Sequence, residues 1–188
     1  MEQPVRRRPR KRKISKTNRL LIAGCVIGAV ALIVAACFIF GGGKNEEAVQ
    51  PANPDRSAMP ELTVGDVTRD GERMVVDTSY MDVAYPYAFS DLISVEAVNQ
   101  DKITGLEFTA KIDGSSRALY TIWFNSTQGQ TAGTFDPQDG EGAVVVTVEF
   151  FSPEEALQGD HLVTFYATQE TINDVLDSMK LDKNFTAN

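Results

Sequence analysis

Few residues in this 188-residue chain have the side chains that enzymes use for nucleophilic or metal chemistry. His161 is the only histidine, and the two cysteines, Cys25 and Cys37, both lie in one apolar run. The chain has no Gly-x-Ser-x-Gly elbow and no glycine loop followed by Lys-Ser or Lys-Thr, so it lacks the motifs of serine hydrolases and P-loop proteins. We therefore expect no cofactor, no metal site and no catalytic site built on histidine or cysteine.

Carboxylates are the remaining candidates for chemistry. Residues 61–188 hold 22 Asp and Glu against seven Lys and Arg, a formal net charge of −15. Two carboxylates can hydrolyse a glycoside without a histidine, which keeps a carboxylate-dependent glycan hydrolase as an alternative function. Most of these acids alternate outward on predicted strands, where solvation explains them. The negative charge argues against nucleic acid as a partner, because it would repel phosphate.

The densest acidic group is a loop that runs from Asp136 to Glu141. Three carboxylates fall within its six residues, and hard cations such as Ca²⁺ prefer several oxygen ligands. The loop does not follow the EF-hand pattern, however, and it separates two predicted strands. We interpret it as a charged hairpin turn.

Aromatic residues form the one cluster that predicts a binding surface. Tyr80, Tyr85, Tyr87 and Phe89 lie within ten residues, and such side chains supply a large contact area at little entropic cost. We hypothesise that they line a groove for a sugar or a peptide. The alternative is that Tyr85 and Phe89 belong to the core and hold a short helix on the sheet.

Residues 20–40 contain no charged or strongly polar side chain, which predicts a transmembrane helix. Twenty-one residues make a helix of about 31 Å, and this length matches a hydrocarbon core of about 30 Å. Residues 1–19 carry nine Lys and Arg against one Glu, a net charge of +8. Because basic flanks stay inside, we expect a cytoplasmic N-terminus, a single pass through the cell membrane and an extracytoplasmic C-terminal part.

The predicted span contains two further signals. Val34-Ala35-Ala36 before Cys37 is similar to a lipobox, which would make Cys37 a lipidation site in a cleaved lipoprotein. The apolar residues after Cys37 favour an uncleaved anchor instead. Gly24 and Gly28 are spaced for close helix packing, and they predict a homodimer through the transmembrane helix unless they only face lipid.

The sequence predicts four regions in order. A basic cytoplasmic tail at 1–19 and the transmembrane helix at 20–40 are followed by a flexible linker at 41–60, which is rich in Gly and Pro. Residues 61–188 are predicted to form one extracytoplasmic domain, since their number supports one core but not two.

Alternation of apolar and polar residues predicts antiparallel strands in this domain. Five segments show it: 74–78, 105–113, 118–124, 131–135 and 144–150. Pro86 is expected to open a short helix through Leu92. A terminal helix over 162–179 is expected to bury Phe165, Ile172 and Leu176. We therefore predict an α+β fold, in which an antiparallel sheet of four or five strands is packed by the C-terminal helix.

The stretch VVDTSYMDVAYPYAFSDLISVE, the later aromatic strands and Gln169-Glu170-x-x-Asn173 carry a resemblance. Together they resemble uncharacterised extracytoplasmic domains that follow a single N-terminal membrane segment in Gram-positive bacteria, many of which have Trp at the position of Phe89. The order of elements is more distantly similar to that of Mog1/PsbP-like lipoproteins. The resemblance covers residues 73–180 and implies a fold and a location, but no catalytic residue.

These observations predict a membrane-tethered extracytoplasmic binding or accessory module of the bacterial cell envelope. Its expected partners are the membrane and another envelope protein or a wall component. The chain is more readily explained as a binding protein than as an enzyme, because no catalytic set can be assembled from its residues.

Overall fold

The computed structural model of the protein describes residues 49–188. The predictions for the basic tail, the transmembrane helix, helix packing at Gly24 and Gly28, and lipidation of Cys37 lie outside the described residues. Within residues 49–188, no helix is long and apolar enough to span a membrane.

Strands dominate the described part of the chain. Nine are present: β1 Val64–Asp70, β2 Arg73–Thr78, β3 Val83–Pro86, β4 Ile93–Gln100, β5 Ile103–Ile112, β6 Ser115–Phe124, β7 Gln130–Phe135, β8 Val144–Phe150 and β9 Phe185–Ala187. Two short helices, α1 Asp160–Gln169 and α2 Ile172–Met179, lie between β8 and β9. A single 3-10 turn, Tyr87–Phe89, follows β3.

The strands form two antiparallel sheets. The small sheet has the order β1-β2-β3, and the large sheet has the order β4-β5-β6-β8-β7-β9. The predicted hairpin at Asp113-Gly114 is confirmed, since β5 and β6 pair from Ile112 and Ser115 onwards. A bulge interrupts this ladder after Phe108 and places Leu119 outside the regular register.

Alternation positions the core of the large sheet. On β5 the side chains of Leu106, Phe108, Ala110 and Ile112 are all buried, as the pattern of the segment predicts. They belong to one apolar cluster with residues of the small sheet and of both helices. Residues at the intervening positions of β5, such as Glu107, therefore lie on the outer face of the large sheet.

Hydrogen bonds from buried polar side chains fix the helices to the sheets. Helix α1 packs on β5 and β6, whereas α2 packs on β3. The amide of Gln169, at the end of α1, donates to the backbone oxygens of Leu119 (2.8 Å) and Phe151 (2.9 Å). The hydroxyl of Thr171, between the helices, lies 3.0 Å from that of Tyr120.

The predicted α+β class, with one sheet of four or five strands, is wrong. The fold is mostly sheet, with three strands in one sheet and six in the other. Strand β1 escaped prediction because nearly all of its residues are exposed, which leaves no apolar alternation. The short helix predicted from Pro86 through Leu92 is also wrong, because β3 ends at Pro86 and only the 3-10 turn Tyr87–Phe89 follows it.

The single terminal helix of the prediction is divided into α1 and α2. Phe165 and Ile172 are buried as expected, but Leu176 is only partly buried and its neighbour Val175 takes the core position. The buried residues still recur at spacings of three and four along both helices, at Phe165, Thr168, Ile172, Val175 and Met179. Leu176 therefore lies at the edge of this stripe rather than at its centre.

Candidate functional site

The four aromatic residues predicted to bind a ligand do not share one exposed surface. Tyr80 is partly buried and stacks on Phe135, with ring centroids 5.2 Å apart. Its hydroxyl donates to the backbone oxygen of Pro60 and accepts a hydrogen bond from Thr104 Oγ1 at 3.1 Å. Burial raises the pKa of the Tyr80 hydroxyl above its usual value. These contacts make Tyr80 a link between the core and the segment before β1.

Tyr85 and Phe89 also face inward. Tyr85 is buried in β3, and burial raises the pKa of its hydroxyl, while Phe89 is partly buried against the same core. Tyr87 alone among the four is exposed, with 40% of its surface accessible. The guanidinium of Arg69 lies over the Tyr87 ring, with Cζ 3.6 Å from the centroid. This cation–π contact covers one face of the ring.

A cleft of about 440 Å³ opens on the outer face of the small sheet. Val75 of β2 and Ala84 of β3 are register partners and form its floor. Leu181, which follows α2 and is 81% exposed, contributes an apolar wall. The full lining consists of Asp70, Arg73, Val75, Met81, Asp82, Val83, Ala84, Ser178, Leu181 and Asp182.

Charge around this cleft is predominantly negative. Three carboxylates, those of Asp70, Asp82 and Asp182, face one cation, Arg73. No ion pair of any of these four residues occurs in the described part of the chain. The cleft therefore combines an apolar floor with an acidic rim whose carboxylates form no ion pair within residues 49–188.

The wall of the cleft is fixed by hydrogen bonds. The backbone N–H of Ala84 donates to Ser178 Oγ at 2.8 Å, and the Ser178 hydroxyl donates to the backbone oxygen of Val175 at 2.6 Å. Because both bonds are buried, α2 is held against the edge of β3. This contact covers an edge amide that would otherwise be open to another strand.

The acidic loop between β7 and β8 binds an arginine of the same chain. The side chain of Arg56 is 0% exposed and pairs with Asp139, with Glu141 at 4.0 Å. The guanidinium also donates to the backbone oxygens of Gly142 (3.1 Å) and Ala58 (3.3 Å). No group of His, Cys, Asp and Glu in residues 49–188 is arranged to hold a metal ion. The carboxylates of this loop therefore serve to bind the buried guanidinium of Arg56.

Arg56 belongs to a strap, residues 50–62, that crosses one end of the large sheet. Its backbone bonds to that of Asn125 and Thr127 after β6, and to that of Asp101 between β4 and β5. Met59 and Leu62 of the strap are buried in the core. Most of the strap lies in the segment that the sequence predicted as a linker.

A row of acidic residues crosses the outer face of the large sheet. Register partners place Glu96 of β4, Glu107 of β5, Thr121 of β6 and Glu149 of β8 side by side. The ion pairs within residues 49–188 include none of these three glutamates. We call this set the glutamate row.

Trp123 lies beside the glutamate row and fixes one of its members. Its indole Nε1 donates to Glu149 Oε2 at 2.8 Å, and Gln128 Nε2 donates to the other oxygen at 2.7 Å. The indole lies directly over Gly105, where an added Cβ would come within 2.6 Å of Trp123 Cε3. The missing side chain at Gly105 is what allows Trp123 to lie against the sheet.

Two hydroxyls near the row have no partner. Thr121 Oγ1 and Thr147 Oγ1 are buried without a hydrogen bond, and Thr121 is 1% exposed. Burial raises the pKa of Glu107, and the neighbouring charge of Glu96 raises it further. The Glu107 and Glu149 carboxyls thus differ in environment, because only Glu149 accepts hydrogen bonds from two side chains.

Sequence reasoning missed both the cleft and the glutamate row. The cleft residues come from four separate segments, so no local motif links them. The sequence does indicate one part of the glutamate row, because Glu107 and Glu149 each occupy an outward position of a predicted strand. Their proximity depends on β8, rather than β7, pairing with β6.

His161, the only histidine of the chain, is exposed, with Nε2 3.8 Å from an Asp113 carboxylate oxygen. It lies near the start of α1 and does not line the cleft. Comparisons with protein-family models, with curated proteins and with solved structures find no match to this chain.

Proposed function

We propose that the protein is a membrane-tethered binding or accessory module of the bacterial cell envelope. Residues 20–40 are apolar, and the 19 residues before them include nine basic residues and one acid. Both observations support a single membrane anchor with the domain outside. The resemblance of residues 73–180 to extracytoplasmic domains of Gram-positive bacteria, which is a prediction from the sequence, implies the same location. In this proposal the tether restricts the domain to partners near the membrane.

The acidic cleft of the small sheet carries the binding part of the proposal. Its floor of Val75 and Ala84 and the exposed Leu181 favour apolar side chains, while three carboxylates against one arginine favour cations. A 440 Å³ cleft is in the size range of binding sites for small ligands and short segments. The partner that best fits is an extended peptide segment with alternating basic and apolar side chains.

Fluorescence anisotropy with two labelled peptides tests this specificity. The full chain in lipid nanodiscs should bind Lys-Leu-Lys-Leu-Lys and not Glu-Leu-Glu-Leu-Glu. Exposed ion pairs are worth about 0.2–1 kcal/mol each, so the double variant Asp82→Asn/Asp182→Asn should weaken binding by about tenfold. Added salt should weaken binding of the wild type in the same direction.

The matched control is Asp55→Asn/Asp91→Asn, which removes two exposed carboxylates that lie outside the cleft. It lowers the negative charge of the domain equally and should leave binding nearly unchanged. Equal weakening by both double variants would show that only net charge attracts the peptide, and would refute the cleft as the binding site.

Protease accessibility tests the proposed topology. Protease added to intact protoplasts should remove the chain beyond about residue 45, because that part is expected outside. Protection of this part would contradict the proposal. Cys37→Ser separates the two kinds of anchor, since loss of lipid labelling would identify a lipoprotein and unchanged labelling an uncleaved helix.

A further inference from the structure

Strand β1 ends the small sheet with one side unpaired. Within residues 49–188 it forms a ladder with β2 alone, and every residue of the strand after Val64 is exposed. The opposite edge of the small sheet, on β3, is closed, because the backbone N–H of Ala84 donates to the Ser178 hydroxyl. The small sheet can therefore gain a further strand beside β1.

The hairpin between β1 and β2 determines which backbone groups of β1 are open. A two-residue loop joins Asp70 to Arg73, so this closing pair exchanges hydrogen bonds. Such bonds alternate along an antiparallel ladder, and the register is regular from Val67 to Asp70. The N–H and C=O groups of Thr68 therefore point to β2, whereas those of Val67 and Arg69 point away from it.

Unpaired backbone groups on an edge strand are a template for another extended chain. Val67 adds an apolar contact, because 47% of its surface is exposed. It opposes the buried Val76 of β2, which places its side chain on the core side of the sheet, while Thr68 and Asp70 point to the outer face. An added strand would therefore meet an apolar residue on one face and a carboxylate on the other.

Charge determines which chain fits this edge. Strand β1 has two aspartates, Asp66 and Asp70, and neither forms an ion pair in the described part of the chain. A second copy would bring the aspartates of both copies together, and residues 61–188 of each copy have a net charge of −15. A segment with basic side chains at alternate positions would instead pair with these carboxylates.

We propose that an extended segment of a partner protein adds to β1 as an antiparallel fourth strand of the small sheet. Its lysine or arginine side chains lie on the outer face beside Asp70, and the residues between them lie on the face of Val67 and Arg69. Antiparallel addition continues the arrangement of the other three strands and is slightly more stable per residue than parallel addition. This edge is separate from the cleft floor on β2 and β3, so binding here does not depend on binding in the cleft.

N-methylated peptides test this geometry. The full chain in detergent micelles should bind labelled Lys-Glu-Lys-Val-Lys in fluorescence anisotropy, with the peptide valine opposite Val67 and the peptide glutamate opposite Arg69. In an antiparallel ladder these two peptide residues make the hydrogen bonds to β1. N-methylation of both should weaken binding at least about tenfold. N-methylation of the second and third lysines, whose N–H groups point away from β1, should leave binding nearly unchanged.

Variants of the protein test the same edge from its other side. Val67→Pro removes an N–H that points away from β2, and edge strands accept proline at such positions, so it should weaken peptide binding at least about tenfold and preserve the melting temperature. Thr68→Pro, which removes a bond to β2, should lower the melting temperature. Asp82→Asn/Asp182→Asn, which alters the cleft, should leave binding of this peptide unchanged.

Several results would overturn the proposal. They are absence of peptide binding by wild type, equal weakening by both methylated peptides, and equal loss of melting temperature in Val67→Pro and Thr68→Pro. Stronger weakening by the lysine-methylated peptide would show parallel addition instead. Binding that survives Val67→Pro but is lost in the cleft double variant would place the peptide in the cleft.

Cross-linking tests for a second copy as the occupant. Two-fold pairing of β1 with itself would place Val67 opposite its own counterpart. Val67→Cys in a Cys25→Ser/Cys37→Ser background should therefore remain monomeric under mild oxidation if a partner segment is what fits. Efficient disulfide-linked dimers that the peptide displaces would show that this edge joins two copies, and would overturn the proposal.

Discussion

Arg56 and Asp139 lie 83 residues apart in the chain and form an ion pair whose arginine side chain is fully buried. A buried charge that loses its partner is destabilising by about 3–5 kcal/mol. Asp139 is the stronger of the two carboxylate partners by distance, since Glu141 lies 4.0 Å from the guanidinium. Asp139→Ala should therefore lower the free energy of unfolding by about 3 kcal/mol, measured by urea denaturation with fluorescence of Trp123.

Two variants define how this result is read. Asp55→Asn removes an exposed carboxylate of the same strap and should change stability by less than about 0.5 kcal/mol. Glu141→Gln should lower the free energy of unfolding by an amount between the losses in Asp139→Ala and Asp55→Asn. Glu141 is the more distant partner of Arg56, and it also accepts a hydrogen bond from the backbone of Ser57. Equal stability of Asp139→Ala and wild type would show that the strap does not stabilise the domain.

The hydroxyls of Tyr120 and Thr171 form a buried pair at 3.0 Å, which joins β6 to the break between α1 and α2. Burial raises the pKa of the Tyr120 hydroxyl well above its usual value, so this group is neutral at ordinary pH. Thr171→Val should cost about 1–3 kcal/mol, because it leaves the tyrosine hydroxyl buried without a partner. Urea denaturation of Tyr120→Phe, Thr171→Val and the double variant measures the coupling. Additive losses in the double variant would rule out a direct interaction.

Gly105 should not tolerate even one added methyl group. The Cβ of Gly105→Ala would lie 2.6 Å from Trp123 Cε3 and 3.1 Å from the backbone oxygen of Ile122. Overpacking of this kind costs about 1–3 kcal/mol. Displacing the indole should also break its bond to Glu149 and shift the tryptophan emission to longer wavelength. Gly65→Ala, which would meet the flexible Asp77 carboxylate at 3.2 Å, is the control, and an equal effect of both would refute this explanation.

The β5 and β6 hairpin was predictable from the sequence because local and global preferences agree there. Asp113 and Gly114 both adopt positive φ, 53° and 75°, as a two-residue hairpin turn requires. The apolar residues on β5 alternate at the period of a strand, and all four predicted positions are buried. Such agreement within one short segment needs no knowledge of distant residues.

The remaining elements depend on distant contacts, which a single sequence does not display. Strand β1 has almost no buried residue, and only its ladder with β2 defines it. Arg56 looks like a solvated linker residue until the loop at Asp139 encloses it. The glutamate row likewise needs the strand order, because its members are separated by up to 53 positions in sequence.

Helix α2 offers a direct comparison between sequence pattern and structure. The apolar stripe predicted that Leu176 enters the core, whereas Val175 is buried and Leu176 is partly exposed. Val175→Ala should therefore destabilise by about 1–3 kcal/mol, mainly through lost burial and the cavity left behind. Leu176→Ala should cost less despite the larger truncation. The reverse order in thermal unfolding would contradict the assignment of Val175 to the core position.

Glu107 should make the folded protein less stable at neutral pH than a neutral residue would. Its pKa is raised in the folded state by burial and then by Glu96, so the stability linked to its proton is fully present below the unfolded value of about 4.3. That contribution is lost as pH rises through the folded pKa. Glu107→Gln should therefore raise the urea midpoint at pH 7 and leave it nearly unchanged at about pH 3.5. Glu155→Gln, in an exposed loop, should change neither midpoint. A lower midpoint for Glu107→Gln at pH 7 would contradict this prediction, because it would mean that the ionised carboxylate makes a favourable contact in the fold.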